Sequence, residues 1–419
     1  MVVCGLLAAA CGGGDGAGTS AGERKALAPT LQEARGATGE VTICAGKDTS
    51  GDQRDLIDTF NERFGSEGLR AKLLEFPASA DEQHNQIVQR QEARSSECDI
   101  YKADTIFIAE LVSQDWLMDM TDYVNRRKGE FIRSTLATVE IGERYYGVPY
   151  DTDAPLLFYR SDAVSRPPAT WQEVYGQARE KGGIVYQGAS YEGLTCDFLD
   201  IAFAAGGKVL SDDGSKSLID SPENLAALEL MVEGIASGAA PKAVVTYMEE
   251  ESRRAFESGR YAFMRNWPYA YALGNRKDSR IANQFRVAPL PAFEGAGKGG
   301  ILGGKDYVIS SFSKNPEAAV RFIDYATSAD QNARRAVKFA LVPAIGAVFD
   351  RPAVKKAMPF AAELRQAVTQ ADVRPVSPVY PQISKAIYKN VNAALAGEIS
   401  PEEALELADA QINEALATF

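Results

Sequence analysis

From Gly39 onward the chain alternates short apolar runs with amphipathic ones, and this alternation restricts the fold more than any other feature of the sequence. Val41 to Cys44 reads as a buried strand, and Gln53 to Phe64 then sets Leu56, Ile57, Phe60 and Phe64 on one helical face. Leu69 to Phe76 predicts a second strand. Ser79, with Glu82 three residues on, predicts a capping-box start for a helix through Ile87 and Val88. Cys98 to Tyr101 predicts a third strand ending at Asp104, and Ile106 to Trp116 a further helix. A β-α-β-α-β order implies a parallel, doubly wound sheet, whose ligands sit beyond the carboxyl ends of the strands. Asp48 follows the first strand and Asp104 the third. Either can accept from a ligand hydroxyl, and either suits a helix N-cap.

The alternation breaks at Tyr146 to Arg160, YGVPYDTDAPLLFYR, where aromatic and acidic residues gather at a bend before an apolar strand. Such a bend could grip a neutral polyol, or it could be a solvated turn. Beyond it the pattern restarts as though a second domain had begun, which suits 419 residues, too many for one core. Helices are predicted over Trp171 to Lys181 and Tyr191 to Ala205, with a strand at Ile184 to Tyr186 between them. Ser221-Pro222-Glu223 starts another helix, through Val232. Tyr261 to Met264 predicts a strand, followed by Arg265-Asn266-Trp267-Pro268-Tyr269, in which the proline ends the strand and can hold two rings at its edge. Phe285 to Pro291 is a further strand, and Asn315-Pro316 starts a helix through Tyr325. Near the end, Ser400 to Glu403 is a capping box before the stripe Leu405, Ala408, Ile412 and Leu416.

Several chemistries are disfavoured by what the chain contains. A net charge of −12 without a Lys/Arg run argues against nucleic acid. His84 is the only histidine, so neither a histidine metal site nor a Ser-His-Asp triad has much to use. No CxxC spacing occurs among Cys44, Cys98 and Cys196; outside the cell one pair could bridge, and the residues do not say which. Gly299 to Lys305, GGILGGK, starts like a phosphate loop, but Asp306 stands where a Ser or Thr should reach magnesium and would repel phosphate. No metal and no cofactor is expected. At the N-terminus, apolar Val2 to Ala10 leads into Cys11 and a Gly/Ser-rich run, which resembles a bacterial lipoprotein box with Cys11 as the lipidated residue.

Taken in order, the lipoprotein-like start, the Tyr146 to Arg160 stretch, Gln187-Gly188 with Tyr191-Glu192-Gly193, Arg265 to Tyr269, the Gly303-Gly304 loop and Val373-Arg374-Pro375 form a joint signature. It resembles the extracellular solute-binding proteins of ABC sugar importers, most closely the subgroup for trehalose, maltose and related α-glucosides, including actinobacterial lipoproteins. The resemblance implies the two-lobe periplasmic-binding-protein fold, α/β in class, each lobe a doubly wound sheet flanked by helices, with a hinge crossed several times. It places residues 1–38 in signal and linker, 39–149 with 286–328 in the first lobe, and 150–285 with 329–419 in the second. It implies a carbohydrate ligand, permease subunits with a cytoplasmic ATPase as partners, a monomer, and a lipid anchor through Cys11 on the outer face of the cell membrane.

Carried over by position, the resemblance implies ligand contacts at Asp48, Asp104, Tyr150, Asp153, Glu249, Trp267, Tyr269, Gly304 and Arg374. Lys47, Asp151, Lys305 and Asp306 join them as neighbours. Lys305-Asp306 departs from the aromatic or Leu-Asn of relatives, and a charge there could suit a polar or acidic sugar substituent. The residue types fit sugar chemistry: carboxylates and Arg bond hydroxyls strongly, and an aromatic ring covers a patch of C–H groups. Two rivals stand beside this reading. A glycoside hydrolase also needs paired carboxylates, but Asp151 and Asp153, taken to face opposite sides of one strand, are poorly placed as acid and nucleophile. The other is a binding protein for a non-sugar solute such as a peptide or glycerol phosphate.

Overall fold

The computed structural model describes residues 26–297 and 299–418, so the lipidation expected at Cys11 lies outside the described residues. The strands β1 (Gly39–Gly46), β2 (Leu69–Phe76) and β3 (Ile100–Asp104) form where the apolar runs predict them. A short hairpin of β4 (Glu140–Ile141) and β5 (Arg144–Tyr145) precedes β6 (Val148–Asp153) and β7 (Leu156–Arg160). Then come β8 (Ile184–Val185), β9 (Phe263–Asn266), β10 (Phe285–Pro289), β11 (Gly303–Ile309) and β12 (Val342–Pro343).

Apart from the β4-β5 hairpin they form two sheets, ordered β12-β6-β11-β3-β1-β2 and β10-β7-β9-β8. In the first, β1 pairs in parallel with β2 and β3, as helical crossovers require. β11, β6 and β12 continue it antiparallel, so the sheet is mixed rather than wholly parallel. The reason is connectivity: β11 enters from the second sheet and runs back alongside β3, a route no local pattern reveals.

The first sheet is apolar on both faces. Val41, Ile43, Ile100, Tyr150 and Tyr307 pack on one, under the helices Asp52–Phe64 and Pro316–Ala326. Cys44, Tyr101, Ala103 and Val308 pack on the other. There Cys44 and Cys98 form a disulfide across a sequence separation of 54 residues, while Cys196 is free and buried. In the second lobe the helices Glu192–Ala204, Pro222–Ala236, Tyr380–Ala396 and Pro401–Leu416 bury Phe198, Met231, Ile383 and Ile412. Ser221 and Ser400 cap as their sequences predict, accepting from the amides of Asn224 and Glu403. Ser79 occupies the expected N-cap of Ala80–Glu92 but makes no side-chain cap bond.

The chain passes between the lobes three times: from sheet to sheet at 154–155 and between Pro289 and Gly303, and at 371–379 into the second-lobe helices Tyr380–Ala396 and Pro401–Leu416. The last two crossings run side by side, since the Leu302 amide donates to the Asp372 carbonyl at 2.8 Å. The expected division puts the first crossing after residue 149, but β6 stays in the first sheet, paired with β11 up to Asp153 opposite Gly303. Pro155, with no amide hydrogen to continue the ladder, stands two residues after the last paired one. The strand assignments differ from the expected division in the same way. β6 and β12 lie in the first sheet and β10 in the second, because pairing partners, not sequence neighbours, decide membership.

Candidate functional site

The carboxyl end of β3, the middle of β6 and the start of β11 bring charged side chains together where the two sheets approach. Lys305 stands opposite Asp104 on one side and Asp151 on the other. Its Nζ donates to Asp104 at 2.7 Å, and its amide donates to Asp151 at 2.8 Å. Lys102, two residues before Asp104, pairs with Asp151 at 3.3 Å. Burial would push the Lys102 ammonium down, but Asp151, Asp52 and Asp48 outweigh it and hold it charged.

A rack of alternating charge continues into the second lobe. Arg374, buried, pairs with Asp104 at 3.3 Å and with Glu192 at 2.6 Å. Glu192 also accepts from Tyr380 at 2.9 Å and from Ser384. Burial raises the Asp104 carboxyl, yet Lys305 and Arg374 together bring it below the usual carboxylate range.

Asp153 closes β6 beside this rack. Burial, then the neighbouring Asp151, push its carboxyl well above the usual range, against Lys102, Lys305 and Arg265. Facing it is the second lobe's aromatic motif. The Arg265 guanidinium lies 4.4 Å from the centroid of the Trp267 ring and is itself held by Asp200 at 2.7 Å and Asp197 at 3.4 Å. Trp267 comes so close to Gly303 that a Cβ there would stand 2.7 Å from the ring, so this glycine is required by contact. Glu249 opens the helix Glu249–Glu257 and faces Tyr191, whose buried hydroxyl makes no hydrogen bond of good geometry. Burial pushes the Glu249 carboxyl up, with Tyr191 opposing it. Among the described residues, neither Asp153 nor Glu249 has an ion pair within 4.0 Å, although each nearby cation does.

Several expected contacts lie elsewhere. Tyr150 is fully buried in the first core, donating to Asp52, with its ring centroid 4.5 Å from that of Tyr307 at a tilt of 53°. The cause is a bulge: the register shifts between Lys305 and Asp306, leaving Tyr150 as an extra residue on the core side. Asp306 points to the opposite face, where it meets Thr138 at 3.1 Å. The charged pair expected at the cleft edge is thus divided, and Lys305 is neutralised by Asp104. Asp48 accepts from the amides of Ser50 and Gln53, ahead of the helix Asp52–Phe64, while Lys47 is exposed. Gly304 has φ of +134° and lies against the Asp151 carbonyl, a backbone requirement rather than a contact surface. Tyr269 donates to Glu250 at 2.9 Å. Asp151 and Asp153 share one side, since residues two apart on a strand face the same way.

Lys102, Asp197 and Asp200 were not singled out from sequence, and Glu192 and Arg265 entered only as members of the signature motifs, not as expected ligand contacts. Two of them left a signal: Asp197 and Asp200 interrupt an otherwise apolar helix at a spacing of three, and a buried carboxylate demands a cation.

Residues 75–333 match the family described as bacterial extracellular solute-binding protein. The chain belongs to that family. A probable ABC transporter-binding protein of Deinococcus radiodurans is 34% identical over 366 residues, covering 82% of this chain and 86% of that one. The maltotriose-binding protein of Pyrococcus abyssi is 28% identical over 57% of this chain and 52% of its own length. Among solved structures, maltose-bound MalE3 of T. maritima superposes with a TM-score of 0.86 at 34% identity, covering 90% of this chain and 99% of that one. The solute-binding family member is therefore two-lobed, extracytoplasmic and a binding protein of an ABC transporter rather than an enzyme. No helix among its described residues is long and apolar enough to cross a membrane.

Proposed function

We propose that this protein captures a disaccharide or short oligosaccharide of the α-glucoside class, maltose or trehalose among them, and hands it to the permease of an ABC importer. The observation that carries the reading is that carboxyl groups from both lobes without an ion pair among the described residues, Asp153 and Glu249, stand with the Trp267 ring. Sugar hydroxyls hydrogen-bond the two carboxyl groups and accept from nearby cations, and sugar C–H groups pack on the ring face away from Arg265. Contacts on both lobes favour the closed state, so affinity and closure are one equilibrium. The likeness to maltose-bound MalE3 supports an α-glucoside, as does the name of the P. abyssi relative. In this reading Cys11 carries the lipid that holds a monomer on the outer face of the membrane, near the permease and its cytoplasmic ATPase.

Ligand binding only the native state raises its melting temperature. A thermal-shift panel of trehalose, maltose, sucrose, maltotriose and amino sugars should give a rise with at least one α-glucoside. No rise with any carbohydrate refutes the reading. Asp153→Ala should weaken the best sugar by roughly a hundredfold, about the worth of two hydrogen bonds to a buried carboxyl group, with little loss of folding. Unchanged affinity in calorimetry would return the stretch to a plain turn.

A further inference from the structure

Two helix N-termini from different lobes are joined by one carboxylate. The second-lobe helix Glu192–Ala204 starts after Tyr191, which gives it no side-chain cap. Its first amide, that of Glu192, donates instead to Asp81 Oδ2 at 3.0 Å, from a residue 111 positions earlier in the chain. Asp81 lies in the first turn of Ala80–Glu92, the helix between β2 and β3 of the first sheet. Helix N-termini carry like partial charge, so two brought this close are favoured by an anion between them, and Asp81 supplies it. Tyr388, on the helix Tyr380–Ala396, faces the same carboxylate; burial first and then Asp81 push its hydroxyl up. Glu192 is a firm seat for this bond, because its side chain is fixed by Arg374, Tyr380 and Ser384.

We propose that Asp81 is a closing residue: by capping a helix of the opposite lobe it sets how long a ligand stays enclosed. The proposal rests on the capture reading of the cleft. The bond joins lobes and not elements within one, so it adds to the closed state and little to the folding of either lobe. When the lobes part, the Glu192 amide and the Asp81 carboxylate both pass to water, and the stabilisation goes with them.

The test uses the full chain and Asp81→Ala, with Asp81→Asn as the conservative variant that keeps a neutral acceptor. In stopped-flow fluorescence with maltose, or with the panel sugar giving the largest thermal shift, Asp81→Ala should release ligand about tenfold faster, the worth of one charged cap. Its association rate should stay within twofold of the parent, and Asp81→Asn should recover part of the loss. Without any sugar, small-angle scattering should give a larger radius of gyration for Asp81→Ala than for the parent. Equal release rates and equal radii overturn the proposal. So does a large fall in the sugar-free melting temperature of Asp81→Ala, which would make the residue a fold contact. Should the parent bind no sugar, the capture reading fails, and the scattering comparison still decides whether Asp81 holds the lobes together.

Discussion

Arg265 and Arg374 are both buried arginines beside the same cleft, yet they are held in different ways. Arg265 takes its partners from one lobe: Asp200, Asp197 and the Gln187 side chain, the last at 2.8 Å. Arg374 reaches Glu192 in the second lobe and Asp104 in the first. A charge cluster closed within one lobe keeps its shape whatever the lobes do, so Arg265 can hold the Trp267 ring as a fixed platform. A cluster shared between lobes exists in full only when they are close, so Arg374 ties ligand geometry to closure. The lesson is that burial and charge alone do not separate a structural arginine from a conformational one; the origin of the partners does.

Arg265→Met should break the comparison hardest. It leaves Asp197 and Asp200 buried without a cation, an arrangement that costs about 3–5 kcal/mol. Urea unfolding followed by circular dichroism should show that loss, with sugar affinity falling as the Trp267 platform loosens. A loss under about 1 kcal/mol would mean that the two aspartates are held as neutral acids and need no arginine.

Arg374→Gln should cost less stability, about 1–3 kcal/mol, because Asp104 keeps Lys305 while Glu192 keeps Tyr380 and Ser384. Affinity should nevertheless fall more than tenfold in calorimetry. The acid limb of stability sharpens the point. Asp104 is held below its ordinary value of 3.8, so its contribution is present above that pH and lost as pH falls through the lower folded value. Removing Arg374 raises that folded value, so the variant should begin to lose stability at a higher pH than the parent. An unchanged acid limb would show that Lys305 alone holds Asp104.

The smallest effect is expected at Asp306, a buried carboxylate that makes no ion pair among the described residues. Thr138 Oγ1 lies 2.7 Å from the Thr135 carbonyl, to which it donates, so a protonated Asp306 would be the donor across the 3.1 Å to Thr138. Burial pushes this carboxyl well above its ordinary range. Its stabilising contribution is thus complete below the unfolded value and is lost as pH rises through the folded one. Asp306→Asn should raise the melting temperature slightly at pH 8 and leave it unchanged at pH 4, with sugar affinity unaltered. A fall in affinity would bring Asp306 back to the cleft.

Much of the architecture was legible because it is written in local period. The apolar runs gave β1, β2, β3 and most of the helices, and Ser221-Pro222 and Ser400-Pro401 marked real starts. The order of motifs pointed to the family, since Trp267-Pro268, the paired glycines and Arg374 keep their succession whatever the fold does between them. Less of the site was legible. Tyr150 and Asp153 are three residues apart on β6, yet the first fills a core and the second faces the other lobe. Lys305 and Asp306 face opposite sides by plain alternation, but the two residues they pair with, Asp151 and Pro149, are separated by the extra Tyr150. A bulge is a property of two strands paired together, and neither strand announces it alone.

By itself, the sequence determined the alternation of strands and helices, the acidic charge that argues against nucleic acid, and the residue types available to a sugar. Those depend on neighbours within a turn or on composition. Only the tertiary structure decided that β11 returns antiparallel, that Cys44 finds Cys98, that Lys305 is spent on Asp104, and that Asp81 caps a helix of the other lobe. Each of these joins residues at least 54 positions apart, and at that distance a pairing is set by the packing of whole elements rather than by any pattern in the chain.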